Sequence, residues 1–306
     1  MTFSFTDFFD RTVHDIANCT RKVLISVDYR LAPERPFPVP LQDCLDVTKH
    51  VLKHGKALGI DVNSVGVAGD SAGGNLAAAV ALALSKEKTP GIPPIKYQIL
   101  AFPATQAMDL RTPSMVEIGE RLPLPSAYQM GGFWAAYLGL DPTKLDEYAL
   151  MMKYNRHVPP QLLEKSKFAK YLDRQNLPEK FREPRPEIMK NYYTPPEKAG
   201  VVSSYDAKLY DKIKDTLVNP LFSPLMAPES DLSGLPEALV IVAEFDVLRD
   251  DGLLYAHRLR KAGIKTELFI NRGYHDDFFR VYPDFLHSKT GEKSLEAMCS
   301  FTEKKA

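Results

Sequence analysis

Cysteine is scarce: Cys19, Cys44 and Cys299 are the three in the chain, and they stand far apart. That spacing excludes a disulfide-dense scaffold and offers none of the paired spacings that hold zinc. A surplus of one charge is also missing. The 39 Lys and Arg balance the 39 Asp and Glu, so no strong field draws the chain to nucleic acid or an anionic membrane. Long apolar runs are lacking too. The longest, Leu76–Leu84, has nine residues, against the roughly 20 that cross a bilayer. Asp7 and Asp10 fall where a signal peptide needs an uncharged stretch. Neither G-x-G-x-x-G nor a phosphate loop occurs, since Asn75-Leu76 stands where the loop's lysine and hydroxyl belong. No cofactor and no metal are therefore expected. Asn18-Cys19-Thr20 fits the glycosylation pattern, which matters only if the chain enters a secretory lumen.

What is present is ordinary globular material: 306 residues, 44% hydrophobic and 25% charged, enough for a substantial core. Phe8, Phe9, Val13 and Ile16 give Phe5–Asn18 an amphipathic helical pattern. Val23–Val27 reads as a strand covered on both faces. Four prolines between Pro33 and Pro40 make an extended loop. A helix over Leu41–Leu58, a strand over Ser64–Ala68 and an alanine-rich helix over Gly73–Ser85 follow. Further strands are expected at Lys96–Phe102, Ala238–Ala243 and Thr266–Ile270, with helices at Leu253–Ala262 and Ser294–Phe301. Alternation of this kind predicts an α/β fold with a mainly parallel sheet. Residues 108–217 interrupt it, with a helix over Ser126–Leu138 and a proline-broken polar tract. They are expected to form a helical cap inserted into one domain spanning 1–306; the bland alternative is a long surface loop.

The chemistry concentrates at Gly69-Asp70-Ser71-Ala72-Gly73-Gly74-Asn75, a G-x-S-x-G between a strand and a helix. A serine forced into a sharp strand-to-helix turn needs small neighbours, and the helix N-terminus behind it favours developing negative charge. A free serine is inert, so an imidazole base and an orienting carboxylate are required. Asp246, after the Ala238–Ala243 strand, and His275, after the Thr266–Ile270 strand, stand in the required order and at strand ends. Asp250 and Asp251 suit the first turn of the Leu253 helix instead, and Glu244 suits a packed or paired role. His14, His50, His54 and His257 fall on predicted helices, His157 in the cap and His287 near the end.

The stretches Ser26–Glu34, Gly69–Ala77 and Phe245–Gly252 together resemble the hormone-sensitive-lipase group of α/β-hydrolases, and within it the arylacetamide deacetylase and neutral cholesterol ester hydrolase branch. The resemblance implies an α/β-hydrolase fold and a serine carboxylesterase acting on small apolar esters or amides. Ser71 would be nucleophile, His275 base, Asp246 orienter and the Ala72 N–H an oxyanion donor. It implies a structural role for Asp28–Glu34 beside the site. It also points to the endoplasmic reticulum, whereas the sequence as it stands carries no address of its own and reads as cytoplasmic. Members of the group carry a His-Gly-Gly-Gly segment upstream of the helix found here at Phe5–Asn18, and no His-Gly-Gly occurs in this sequence. The resemblance then implies an incomplete oxyanion hole, an impaired enzyme or a ligand-binding protein as the second reading, and either direct pairing of the Val23–Val27 and Ser64–Ala68 strands or a gap between them. Trp134, with Phe133 and Tyr137, would line an acyl pocket or simply pack the core.

Overall fold

A computed structural model describes residues 6–87, 90–120, 125–192, 194–195, 198–200, 204–273 and 289–305. In chain order the elements are α1 (Thr6–Thr20), α2 (Val39–His54), β1 (Gly66–Asp70), α3 (Ser71–Lys86), β2 (Tyr97–Ala101), α4 (Pro113–Gly119), α5 (Ala127–Tyr137) and α6 (Leu145–Lys153). They continue with α7 (Pro160–Lys165), α8 (Pro186–Tyr192), α9 (Ala207–Leu217), α10 (Glu229–Leu232), β3 (Glu237–Ala243), α11 (Arg249–Lys261), β4 (Thr266–Asn271) and α12 (Lys289–Glu303). The strands form one parallel sheet in sequential order β1-β2-β3-β4. Parallel neighbours require crossovers, and the helices between the strands supply them.

Side chains of a strand alternate between faces, and β2 and β3 split accordingly. Tyr97, Ile99, Ala101, Leu239 and Ile241 turn to one face, where they meet Ile16 of α1 and Met298 and Phe301 of α12. Leu100, Ala238, Val240 and Val242 turn to the other, packing with Ala78 and Leu82 of α3 and Leu254 and Leu259 of α11. Cys19 and Cys299 are disulfide-bonded with their Cα atoms 5.7 Å apart, fastening α1 to α12 across a sequence separation of 280. Three scattered cysteines excluded a scaffold of bridges; they did not disclose this single one.

The expected strand at Val23–Val27 does not form. Residues 23–30 pair with no strand among those described, and Val23 and Ile25 are 76% and 47% exposed rather than covered. The reason is non-local: an apolar β-branched run becomes a strand only beside an edge that takes its hydrogen bonds. Among the described residues β1 pairs with β2 alone. Tyr29, just beyond, does pack, joining Leu41, Leu45, Val65 and Val67, and Arg30 is ion-paired with Asp43 at 2.6 Å.

The β2–β3 connection is folded rather than loose. It contains α4 to α10 and gives Met115, Ile118, Trp134, Met152, Leu177 and Ile213 to the main core. Ser126 caps α5 and Gln129 answers it, a reciprocal capping box. Gly131 lets α5 approach α6, since a Cβ there would lie 2.4 Å from the Ala149 carbonyl oxygen. Gly131 therefore serves helix contact.

Candidate active site

Ser71 is the first residue of α3 and follows β1 without a linker. Its φ is +50°, a conformation that costs a non-glycine residue of order 1–3 kcal/mol and persists only where surroundings enforce it. They do so here. A Cβ on Gly69 would lie 2.1 Å from the Gly73 carbonyl oxygen, and one on Gly74 would lie 2.9 Å from Cα of Pro103. Only glycine allows the turn to close this tightly and α3 to sit this near the end of β2. The Ala104 N–H donates to the Ser71 carbonyl at 3.1 Å, and buried Asn75 donates from Nδ2 to the carbonyls of Ala104 (2.7 Å) and Phe222 (2.9 Å). Ala72 is exposed and Ser71 half-buried, so the start of α3 faces solvent at the sheet's carboxyl end.

Parallel strands place their carboxyl ends on one side, the side on which open α/β sheets bind ligands. Asp70, Ala101 and Ile241 lie in one row of the register, and Ala243 faces Asn271 two residues further along. Asp246 follows β3 by three residues and is buried, 2% exposed. Its Oδ1 accepts the Leu248 N–H at 2.7 Å, and the Arg249 N–H donates to its carbonyl at 3.2 Å. The turn that holds it is bonded to the end of β4: Glu244 N–H donates to the Asn271 carbonyl (2.8 Å) and Phe245 N–H to the Gly273 carbonyl (3.2 Å). Asn271 fixes that end, accepting the Gly273 N–H at 2.9 Å and donating to Ser294 Oγ at 2.8 Å. His275, the expected base, lies outside the described residues, as does His287.

The rival acids are occupied elsewhere. Asp250 accepts the Ser114 N–H (2.6 Å) and Arg249 Nε (2.9 Å). Asp251 accepts Thr105 N–H and Gln106 Nε2, each at 2.9 Å, and burial raises its carboxyl to about 7 against these bonds. Glu244 pairs with Lys180 at 3.4 Å. Among the other histidines, His157 is fully buried against the Ala107 carbonyl at 2.8 Å, and burial lowers its pKa to about 4. Trp134 and Tyr137 are core residues, their rings 5.3 and 5.0 Å from that of Phe222. Packing explains both.

Several positioning residues escaped the sequence reading. Asn75, four residues after Ser71 on the same helix face, is polar within an otherwise apolar run; that mismatch is the signal that could have found it. Arg249 is another. It is buried with its guanidinium 4.1 Å from the Phe181 ring centroid and bonded to the Glu244 carbonyl at 3.2 Å, so it ties the β2–β3 connection to the turn carrying Asp246. Nothing in its local sequence marks it.

A serine on a strand-to-helix elbow at the carboxyl edge of a parallel sheet, with an acid on the turn after β3, is the layout of an α/β-hydrolase fold. The model of the alpha/beta hydrolase fold matches residues 2–177 and 176–279, and the chain belongs to that family. It is 38% identical over 256 residues to rabbit (Oryctolagus cuniculus) arylacetamide deacetylase, covering 83% of this chain and 59% of that protein. To human arylacetamide deacetylase-like 3 it is 32% identical over 92% of this chain and 64% of the relative. To mouse neutral cholesterol ester hydrolase 1 it is 30% identical over 88% and 62%. The chain thus spans about six-tenths of the length of the curated relatives it matches. Among solved structures, carboxyl esterase 2 of the fungus Tuber melanosporum superposes with a TM-score of 0.65 at 22% identity, covering 99% of this chain and 74% of that one. An esterase of Pyrobaculum calidifontis does so at 0.61 and 27%, covering 98% and 71%.

Proposed function

We propose that the protein is a serine hydrolase of carboxylic esters or acetamides of small apolar molecules. The observation that carries this reading is Ser71 at φ +50° between β1 and α3, beside the carboxyl-edge turn of Asp246. In the proposed cycle His275 takes the Ser71 proton as Oγ attacks the substrate carbonyl carbon. Asp246 orients the imidazole and stabilises its charge. The Ala72 N–H, at the start of α3, donates to the tetrahedral oxyanion. The alcohol or amine leaves with the proton from His275, and water then releases the acid. The bond from Phe245 to Gly273 supports this pairing: it joins the Asp246 turn to the end of the β4 segment, two residues before His275 in the sequence. The β2–β3 connection serves as a cap within a single domain, and the relatives' names, arylacetamide deacetylase and cholesterol ester hydrolase, support apolar substrates and a place in lipid metabolism. We place the protein in the endoplasmic reticulum, a setting that the Cys19–Cys299 bond suits.

A fluorophosphonate probe tests the nucleophile. Labelling of the folded chain that disappears in Ser71→Ala supports the reading; an unlabelled folded chain refutes it. The second reading is a ligand-binding protein that uses the same pocket without turnover. That reading expects ligand-induced thermal stabilisation with no hydrolysis of p-nitrophenyl acetate or butyrate. Turnover that is lost in Ser71→Ala discards it.

A further inference from the structure

We propose that Asn18 is an N-glycan acceptor and that its glycosylation precedes closure of the Cys19–Cys299 bond, one residue away. The inference makes no use of Ser71 and stands apart from the hydrolase reading.

The triplet Asn18-Cys19-Thr20 is by itself a common pattern. Two structural observations raise it above chance. The first is its presentation. On α1 the residues Thr12, Ile16 and Thr20 form a stripe at four-residue spacing that is buried or half-buried. Asn18 lies on the opposite stripe with His14, and both are exposed. Its Nδ2 meets the exposed His14 ring, 3.1 Å from Nδ1 and 3.3 Å from Nε2. A glycan on Nδ2 therefore projects into solvent, displaces one exposed hydrogen bond and leaves the contact between α1 and α12 untouched. The second is the bond itself. A disulfide between Cys19 and Cys299 forms and persists in an oxidising compartment, and the secretory lumen that provides one also holds the glycan transferase.

The chemistry of the two steps is compatible. In the first, Asn18 Nδ2 forms a C–N bond to the anomeric carbon of a lipid-diphosphate-linked oligosaccharide. The sugar–phosphate bond breaks, the lipid diphosphate leaves and the amide loses one proton. In the second, the thiols of Cys19 and Cys299 give two protons and two electrons to the disulfide of a lumenal oxidoreductase. Their order follows from chain position. Cys299 is made 280 residues after Cys19, a delay of roughly 15–60 s at ordinary synthesis rates. During that interval the acceptor triplet is unbridged and open to a transferase that needs extended chain.

The test uses the full chain translated into the lumen of animal cells. The protein is digested without reduction, treated with peptide N-glycosidase in heavy-oxygen water and mapped by mass spectrometry. We expect position 18 to read as aspartate carrying heavy oxygen, within a peptide cross-linked to the one containing Cys299. Asn18→Gln should lose one mobility step and keep the cross-link. Cys299→Ser should leave occupancy at Asn18 unchanged, since the glycan is already in place when that residue is made. Unmodified Asn18 in bridged molecules overturns the site, and occupancy that shifts in Cys299→Ser overturns the order.

Discussion

The backbone of Phe245 donates a hydrogen bond to the carbonyl of Gly273 at 3.2 Å, and this joins the turn that carries Asp246 to the segment that leads into His275. The turn of Asp246 is thereby fastened to the end of the neighbouring strand by main chain rather than by side chains alone. Substitution of Asp246 should consequently spare the fold and strike the chemistry. Asp246→Asn is expected to lower kcat about 10⁴-fold, the scale seen when an orienting carboxylate is neutralised. The thermal transition should stay close to wild type. Esterase assays beside calorimetry read both, and unaltered kcat would remove Asp246 from the triad.

The elbow makes a steric prediction. Gly69→Ala puts a methyl group 2.1 Å from the Gly73 carbonyl oxygen, and the neighbour is backbone, which yields only by opening the turn. Overpacking of this kind costs about 1–3 kcal/mol. Denaturant unfolding should show that loss, accompanied by reduced fluorophosphonate labelling of Ser71. Gly73→Ala is the control. Its Cβ would meet nothing nearer than the Asp70 carboxylate at 3.9 Å, so it should be the milder change.

Asn75 couples α3 to two loops, and Asn75→Leu should show it. The substitution leaves the carbonyls of Ala104 and Phe222 without the amide that now reaches them at 2.7 and 2.9 Å. Leaving buried acceptors unmet costs about 1–3 kcal/mol. Because the Ala104 N–H in turn holds the Ser71 carbonyl, kcat should fall while KM changes little. A purely structural role would lower stability with kcat intact.

Two buried groups set opposing dependences of stability on pH. Asp251 has its pKa raised from 3.8 to about 7 by burial. The folded chain thus binds more protons than the unfolded one between those values, and stability falls as pH rises through that window. His157 has its pKa lowered from 6.5 to about 4, again by burial. Here the unfolded chain binds more protons, and stability rises as pH climbs from about 4 to 6.5. The two contributions largely cancel below pH 6.5. Asp251→Asn removes one of them, so unfolding free energy should then rise with pH by about 3 kcal/mol between pH 4 and 6.5. Urea titrations across that range read the slope; a profile as flat as wild type would contradict this assignment.

Removing the covalent tie should loosen both chain ends together. Cys19→Ser is expected to cost about 2–5 kcal/mol, as loss of a native bridge over a long loop does. Hydrogen exchange should localise the gain in opening to α1 and α12.

Where the sequence was legible, the signal was local. The apolar runs at β1 to β4 lie within two residues of their expected bounds, since each is flanked by turn residues and buried on both faces or at an edge. The elbow was readable because Gly69, Ser71, Gly73 and Gly74 are adjacent and their steric need is intrinsic to the turn. Asp246 was placed by its distance from a strand end. What escaped was relational. Val23–Val27 has the composition of a strand and no partner strand among the described residues, a fact that no window of five residues contains. Cys19 and Cys299 are neighbours only in the folded chain, across a sequence separation of 280. Arg249 and Asp250, though side by side, reveal their work only once Phe181 and Ser114 arrive from the β2–β3 connection.

The bare run Val23-Leu24-Ile25, together with the flank of β1 that no described strand covers, has a practical consequence at the bench. Two adhesive ribbons on one molecule, each able to recruit another β-segment, are a recipe for precipitation. Preparations of this chain should cloud as concentration rises, and a lysine at position 25 should keep them clear without touching the chemistry.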